Sequence, residues 1–474
     1  MIGELKSYPI YKDSGLDWLG SIPAHWGLLR AKRLFREVDE RSKTGKEELL
    51  SVSHLTGVTP RRLKNVTMFM AESNVGHKVC RPGDLVINTL WAWMAALGVT
   101  RHLGLVSPAY GVYRPVEGGG ILPAYADHLL RTSLYAAEYQ RRSTGVNSSR
   151  LRLYPEQFLR IPVMVPPFED QAAIVRFLDW ASGRLEQAIR AKRKVVALLT
   201  EQRQSITQRA VTMGVEPGAP LKPTGLEWLT AVPAHWEVRP LKAVSEIQSG
   251  ITLGKDYGGQ RTEVFPYLRV ANVQAGFVDL SEVKSIQVPT EEARRSTLTM
   301  GDVLMTEGGD PDKLGRGCVW DAPISPCLHQ NHVFAVRPKQ HRLNPKFLSA
   351  FMGTSYARAY FQATAKQTTN LASTNKTKIG RLQVPLPPIE EQGNILARVA
   401  LDTRPITSAI GRLEAEIQLL RKYRVRLVAD VVTGQLDVRE AALRLPADAP
   451  QDLEAEPVDE ADAPELIDEE AAEA

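Results

Sequence analysis

The sequence predicts an α+β protein made by tandem duplication, with two globular domains separated by two long antiparallel helices that are related by a pseudo-two-fold axis. Three observations lead to this fold class. A W-x-x-x-x-P-x-x-W segment occurs twice, a Pro-Pro segment followed by an acidic residue and Gln occurs twice, and a long apolar heptad pattern follows each Pro-Pro segment. Self-similarity over such a distance indicates duplicated domains, because the unit is far too long for a solenoid repeat.

The two copies are recognised at both ends of the repeat. Residues 14–26, SGLDWLGSIPAHW, return at 224–236 as TGLEWLTAVPAHW, and RIPVMVPPFEDQAAI at 160–174 returns at 381–395 as RLQVPLPPIEEQGNI. The offset is 210 residues for the first pair and 221 for the second. Weaker matches lie between them: PGDLVI at 82–87 with MGDVLM at 300–305, VYRP at 112–115 with AVRP at 335–338, and Tyr135, Ala136 and Tyr139 with Tyr356, Ala357 and Tyr360.

These repeats define the domain boundaries. Short alternating strands with Gly and Pro punctuation precede a helix in each copy, which predicts two α+β globules. Proline in the first turn and carboxylates near the positive end of the helix dipole then predict the start of a long helix in each copy. The predicted segments are a globule at 14–160, a helix at 165–214, a globule at 224–382, a helix at 386–437 and an acidic tail at 440–474.

The two long helices are predicted to pack on each other. Apolar residues fall on the a and d positions of a heptad in each, and a helix of this length cannot bury such a stripe alone. The packing positions are Leu178, Leu185, Ile189, Val196, Leu199 and Ile206 in the first helix, and Val399, Ile406, Ile410, Ile417, Leu420 and Leu427 in the second. Pro405, with Gly183 near the equivalent place, predicts a bend.

Composition favours a polyanionic partner. The net charge is +5, but residues 440–474 hold 13 acidic side chains and one arginine, so residues 1–439 carry 58 basic against 41 acidic residues, a net charge of +17. The acidic tail is predicted to be disordered and solvated. The cysteines Cys80, Cys318 and Cys327 form no C-x-x-C pair and are expected to be buried thiols. We find no apolar run that could span a membrane and no signal peptide, and we expect a cytoplasmic protein.

The segments that approach catalytic motifs differ from them in spacing or in context. GITLGKD at 250–256 has the wrong spacing for a phosphate-binding loop. The acidic cluster in GGDPDKLG at 308–315 has no second acidic and lysine element, so a turn is the better interpretation. PPF at 166–168 approaches a methyltransferase motif, but it repeats as PPI and opens a helix. The repeated P-A-H-W segments are expected to be structural, because residues that read a sequence should differ between the copies.

The order of these motifs resembles the specificity subunit of type I restriction-modification systems over residues 14–437. SPAY at 107–110, QNHVF at 330–334, TTNLAS at 368–373, AVT at 210–212 and VVTG at 431–434 add to the resemblance. It implies that each globule is a target recognition domain that reads half of a bipartite double-stranded DNA site, and that the helices set the gap between the halves. It also implies two methylation subunits and restriction/translocase subunits as partners. S-adenosylmethionine, ATP and Mg²⁺ would then belong to those partners, with no catalytic residue, metal or cofactor in this chain. A self-contained DNA methylase or nuclease, or a coiled-coil scaffold, remains an alternative.

Candidate DNA-reading residues lie on polar, basic loops, since base edges are read by Arg, Lys, Asn and Gln. In the first globule the stretches 88–102 and 141–150 supply Asn88, Arg101, Arg141, Arg142, Asn147 and Arg150. In the second, the stretches 307–317, 330–332 and 366–378 supply Lys313, Arg316, Gln330, Asn331, Lys366, Gln367, Asn370, Asn375, Lys376 and Lys378. Unlike loops at like positions predict two different half-sites.

Overall fold

Each of the two long helices contributes residues to both of the units into which the chain divides. Unit 1 comprises residues 1–192 and 416–474, and unit 2 comprises residues 193–415. The structure is a computed structural model that describes residues 5–63, 73–145, 151–227, 229–309, 314–315, 317–367 and 372–446.

The first globule and the first long helix consist of short strands, short helices and one helix of 46 residues. The strands are β1 Tyr11–Asp13, β2 Ser21–Pro23, β3 Gly27–Arg30, β4 Phe35–Glu37, β5 Leu50–Ser53, β6 Gly57–Pro60, β7 Lys78–Cys80, β8 Leu85–Ile87, β9 Leu97–Val99, β10 Gly104–Val106, β11 Gly111–Pro115 and β12 Pro162–Val165. The helices are α1 Ala31–Leu34, α2 Pro123–Leu130, α3 Ser133–Arg142, α4 Pro155–Leu159 and α5 Phe168–Met213.

The second copy follows the same plan and ends in a helix of 44 residues. Its strands are β13 Leu221–Pro223, β14 Ala231–Pro233, β15 Glu237–Pro240, β16 Ser245–Ser249, β17 Thr262–Leu268, β18 Lys284–Pro289, β19 Val303–Thr306, β20 Gly308–Gly309, β21 Gly317–Val319, β22 Leu328–His329, β23 Val333–Pro338, β24 Lys366–Gln367, β25 Ala372–Ser373 and β26 Gln383–Leu386. Its helices are α6 Leu241–Val244, α7 Thr290–Arg295, α8 Pro345–Met352, α9 Ser355–Thr364, α10 Lys376–Arg381 and α11 Ile389–Val432, and the short α12 Arg439–Leu443 follows.

A four-stranded sheet of the same order forms the centre of each globule, β4-β11-β8-β9 in unit 1 and β16-β23-β19-β21 in unit 2. The weak internal repeats are the neighbouring strands of this sheet. Each sheet carries the same ion pair: the guanidinium of Arg114 donates two hydrogen bonds of 2.8 Å to Asp84, and that of Arg337 donates bonds of 2.7 and 2.8 Å to Asp302. Both carboxylates are buried, so each needs its arginine partner.

The two long helices run antiparallel in each unit. In unit 1, Leu178 and Leu185 near the start of α5 share a core with Leu427 near the end of α11. In unit 2, Val211 near the end of α5 shares a core with Ile395 near the start of α11. Opposite ends of the helices therefore meet in both cores, as the antiparallel arrangement predicted from the duplication requires.

The predicted packing positions lie on the covered faces of the helices. Leu178, Leu185, Ile189, Ile406, Ile410, Ile417 and Leu427 are buried, and Val196, Leu199, Ile206, Val399 and Leu420 are half-buried. Helix α11 continues through Pro405 and α5 continues through Gly183, so neither residue ends a helix. Pro405 lies on an exposed face, where water can bind the carbonyl that the proline leaves without a donor.

The match of Tyr135, Ala136 and Tyr139 with Tyr356, Ala357 and Tyr360, at an offset of 221 residues, is displaced by one residue in the structure. Helices α3 and α9 begin at Ser133 and Ser355 after Thr132 and Thr354, an offset of 222 rather than 221. The two threonine hydroxyls make the same bond, to the carbonyls of Leu129 and Phe351. The tyrosines that match by sequence therefore do not occupy equivalent positions.

Within the described residues no helix is both long and apolar enough to cross a membrane.

Candidate nucleic-acid interface

The P-A-H-W segments join each globule to the start of its long helix. Trp26 and Trp236 are fully buried, and their indole N–H groups donate to Asp170 at 3.4 Å and to Glu391 at 3.0 Å. The Nε2 atoms of the adjacent histidines lie 2.8 and 2.9 Å from the same carboxylates. The two tryptophans are held inside the scaffold, and the more exposed histidines bond the same carboxylates, which is the structural role that their repetition predicts.

The glutamine that follows each of these carboxylates forms a second connection between the globule and its long helix. The side-chain amide of Gln171 donates to the carbonyls of Gly120 and Pro166 and accepts from the N–H of Leu122. Gln392 repeats all three bonds around the start of α8, at 2.8 to 2.9 Å. Buried backbone groups need partners, and these amides supply them where α2 and α8 begin.

The far ends of the long helices close on the same tryptophans. Gly214 follows α5 and lies against Trp236, and Gly434 follows α11 and lies against Trp26 and Pro23. Both glycines have a φ of +76°, the left-handed conformation common after a helix. Each P-A-H-W segment is therefore the meeting point of one globule with the start of one long helix and the end of the other.

This scaffold presents the first candidate loop between β8 and β9. The loop is tied down from behind, because the N–H of Leu153 donates to the carbonyl of Thr89 at 3.0 Å. Asn88 is 4% exposed, donates to the hydroxyl of Tyr110 at 2.9 Å and accepts from the N–H of Leu90. Its amide therefore shapes the loop, whereas the sequence suggested a side chain that reaches a base.

The other described candidates of unit 1 follow this loop in the chain. Arg101 is exposed. Arg141 and Arg142 at the end of α3 both bond the buried Glu138, at 2.7 and 2.5 Å. Burial alone would raise the pKa of the Glu138 carboxyl, but the hydrogen bonds from the two arginines outweigh it and lower the pKa. The Arg141 side chain is nevertheless 63% exposed, so it retains donors for a phosphate, whereas Arg142 is mostly covered.

In unit 2 the three predicted stretches converge on Glu307. Its N–H donates to the carbonyl of His332, and its own carbonyl accepts from the N–H of Thr374, both at 2.8 Å. The bond from Thr374 is the counterpart of the bond from Leu153 in unit 1. A small sheet, β20-β25-β24, adds further pairing between the first and third stretches. Segments that are 25 to 67 residues apart in the chain therefore form one surface.

The second-unit candidates take different places on this surface. Lys366 and Lys376 are exposed, and Lys378 is half-buried. Asn375 is the N-cap of α10, accepting from the N–H of Lys378 at 2.9 Å, which occupies its side-chain oxygen. Gln330 and Asn331 are half-buried at the turn before β23, and Gln367 belongs to β24. Asn147, Arg150, Lys313, Arg316 and Asn370 lie outside the described residues.

Sequence reasoning overlooked two features of these surfaces. Trp91 and Trp93 in the first loop form a tilted ring pair with centroids 5.8 Å apart, and both are half-buried. His329, directly before the second-unit turn, is fully buried, and burial lowers the pKa of its imidazole. The W-A-W segment at 91–93 of the candidate stretch is the signal that indicates the ring pair.

The cysteines are also placed by the structure. Cys80, Cys318 and Cys327 are buried free thiols. Burial raises the pKa of each thiol to about 12, so they are held as uncharged, unreactive groups.

Comparison with known proteins gives a consistent assignment. Residues 233–404 match the family model of the type I restriction modification DNA specificity domain. The putative type I restriction enzyme MjaX specificity subunit of Methanocaldococcus jannaschii is 26% identical over 43% of this chain and 46% of its own length. The type I restriction enzyme EcoKI specificity subunit of Escherichia coli is 23% identical over 75% of this chain and 78% of its own.

The fold agrees with these matches. A chain solved in work on complex assembly and conformational transition of the type I restriction-modification system superposes with a TM-score of 0.55 at 16% identity, covering 87% of this chain and 98% of that one. This superposition shows that the two chains share a fold. Residues 233–404 thus match a type I DNA specificity domain, and over most of its length the chain is similar to a type I specificity subunit.

Proposed function

We propose that the chain recognises a bipartite, asymmetric double-stranded DNA site, with one half read by each unit. The observation that carries this proposal is a shared scaffold with unlike loops. The bond from Leu153 to Thr89 and the bond from Thr374 to Glu307 anchor equivalent loops. The loop residues themselves differ, NTLWAWMAA at 88–96 against EGGDPDKLGR at 307–316. Equivalent loops with different side chains suit two different half-sites.

The long helices set the gap between the half-sites in this proposal. At a rise of about 1.5 Å per residue, helices of this length extend over roughly 65 to 70 Å. Their matched apolar positions and antiparallel pairing in each unit support a fixed spacer. A fixed spacer would convert helix length into a number of unread base pairs.

Catalysis is assigned to partner subunits. The proposed complex contains two methylation subunits and restriction/translocase subunits, which would hold S-adenosylmethionine, ATP and Mg²⁺, while this chain positions them on DNA in the cytoplasm. A matching chain comes from work on the assembly of a type I system, which supports a multi-subunit setting. The isolated chain should then neither methylate nor cut DNA, and methyl transfer by the pure chain would favour a self-contained methylase.

Domain exchange tests the central point. Residues 14–160 would be replaced by the corresponding globule of another type I specificity subunit, and the methylated sites would be sequenced after co-expression with the methylation subunits. The expected result is a change in one half of the recognised sequence with the other half and the gap retained. If both halves changed together, the units would not be independent readers.

A further inference from the structure

A cationic groove lies in unit 1, beside the last turns of α11. It has a volume of about 500 Å³. The lining residues are Ser133, Arg421, Lys422, Val425, Arg426 and Ala429. Val425 is 66% exposed, and the cationic side chains surround it. Arg426 is 83% exposed and has one acidic contact, with Asp430 at 3.4 Å. The groove therefore combines an apolar floor with positive charge.

The equivalent place in unit 2 is closed by hydrogen bonds. There the amide of Gln204 donates to the carbonyl of Gly353 at 3.0 Å, and Gln208 accepts from the N–H of Ser355 at 2.8 Å. At the offset of 221 residues these glutamines correspond to Val425 and Ala429. Neither aliphatic side chain can make such a bond, so the helix is not tied to α3 in this way in unit 1.

The charge has diverged at the same place. Arg421, Lys422 and Arg426 correspond to Thr200, Glu201 and Ser205 in the first helix. In unit 2 this place therefore has neutral and acidic side chains and is closed by the two hydrogen bonds. In unit 1 it has basic side chains and is open. Packing of the helix pair does not require this difference, because the heptad positions are apolar in both copies. Positive charge around an exposed valine suits an acidic segment that also carries apolar side chains.

The chain itself contains such a segment. Residues 447–474 have 12 acidic and no basic side chains, with interspersed apolar residues that include Leu453, Val458, Leu466 and Ile467. The preceding residues are held in unit 1, where Arg176 donates to the carbonyl of Leu445 at 2.9 Å. A segment of this length can extend over several tens of ångströms, at about 3.3 Å per residue, so it can reach along α11. We propose that the groove binds the acidic segment 447–474 of the same chain.

Carbodiimide cross-linking of the full-length chain tests the contact directly, because it joins a lysine amine to a carboxylate only when the two touch. The expected product links Lys422 to an acidic residue of 447–474 and is recovered from the monomer fraction by mass spectrometry. Lys194, exposed on α5, is the comparison lysine and should give little of it. The variant K422R keeps the charge and should abolish the product. Linkage mainly to Lys376 or Lys378 would overturn the proposal and assign the segment to the DNA surface.

Proteolysis of full-length variants tests the role of charge. A glutamate-specific protease should remove the acidic segment severalfold faster from R421Q/K422Q than from the parent chain, because two positive charges are lost without adding a cleavage site, and exposed ion pairs that are weak singly act together. The control R193Q/K194Q makes the same charge change at two exposed positions of α5 and should leave the rate unchanged. Equal rates in all three chains would refute the proposal. So would a Lys422 cross-link that forms only with an added methylation subunit, which would make a partner the occupant.

Discussion

The closing glycines of the long helices provide a prediction with an internal control. Gly434 and Gly214 have the same φ of +76°, so a change to alanine strains the backbone equally at both. Their surroundings differ. A Cβ atom on Gly434 would lie 2.5 Å from Cγ of Pro23 and 3.0 Å from Cη2 of Trp26, whereas the nearest atom to a Cβ on Gly214 is Cζ2 of Trp236 at 3.4 Å.

The expected magnitudes follow from these distances. The left-handed conformation costs a non-glycine residue about 1–2 kcal/mol, which applies to both variants. G434A should lose about 1–3 kcal/mol more, the usual cost of overpacking, because Trp26 is fully buried and hydrogen-bonded to Asp170 and cannot move away cheaply. The contact at Gly214 needs a shift of only a few tenths of an ångström.

Hydrogen exchange measured by mass spectrometry reads both sites in one chain. Peptides covering residues 20–30 report opening of unit 1, and those covering 230–240 report opening of unit 2. G434A should speed exchange of the first peptide by about five- to 100-fold more than G214A speeds exchange of the second, since 1.4 kcal/mol corresponds to a factor of ten. Equal effects would show that backbone strain alone governs both closures and that the contact with Trp26 is unimportant.

Three further predictions concern the DNA surface, the helix length and the buried histidine. Replacing Lys376 and Lys378 together by alanine should weaken binding of cognate and random DNA about equally in a filter-binding assay of the assembled complex, because phosphate contacts carry no sequence information; loss on cognate DNA alone would make them base readers. Inserting four residues after Ala191 and four after Arg412 should lengthen each helix by about 6 Å and widen the unread gap by one or two base pairs of about 3.4 Å, and methylation-site sequencing that returned the original gap would disprove the spacer. Because burial lowers the pKa of His329 below the usual value of 6.5, the unfolded chain takes up this proton first. The free energy of unfolding of unit 2 should therefore fall as the pH drops below 6.5, and H329Q should flatten that fall in urea titrations at pH 7.5 and 5.5; an unchanged slope would contradict this.

Local patterns predicted the parts of the molecule whose physics is local or repeated. The Pro-Pro segments with their carboxylates predicted the starts of α5 and α11, because helix N-termini impose the same requirements wherever they occur. The heptad pattern predicted which side of each helix is covered. The recurrence of P-A-H-W predicted a structural role, and Trp26 and Trp236 are buried in equivalent places.

Predictions about single loop residues fared differently. Asn88 was expected at a base edge because polar loop residues often are, but a contact with Tyr110, 22 residues away, buries its amide. Asn375 is exposed, and its side-chain oxygen caps α10, so its role as a DNA reader stays a prediction. In both residues the hydrogen bond depends on backbone geometry that residue type does not specify.

The sequence by itself determined the duplication, the two long helices, the covered faces of those helices and the division into two like globules, because periodicity and repetition are properties of the chain alone. Only the tertiary structure decided which distant segments meet. The convergence of three stretches on Glu307 rests on backbone hydrogen bonds between residues 25 and 67 positions apart. The closed groove at Gln204 and the open one at Val425 differ through contacts with another helix. Such contacts depend on how elements pack in space, and a linear pattern carries no record of that packing.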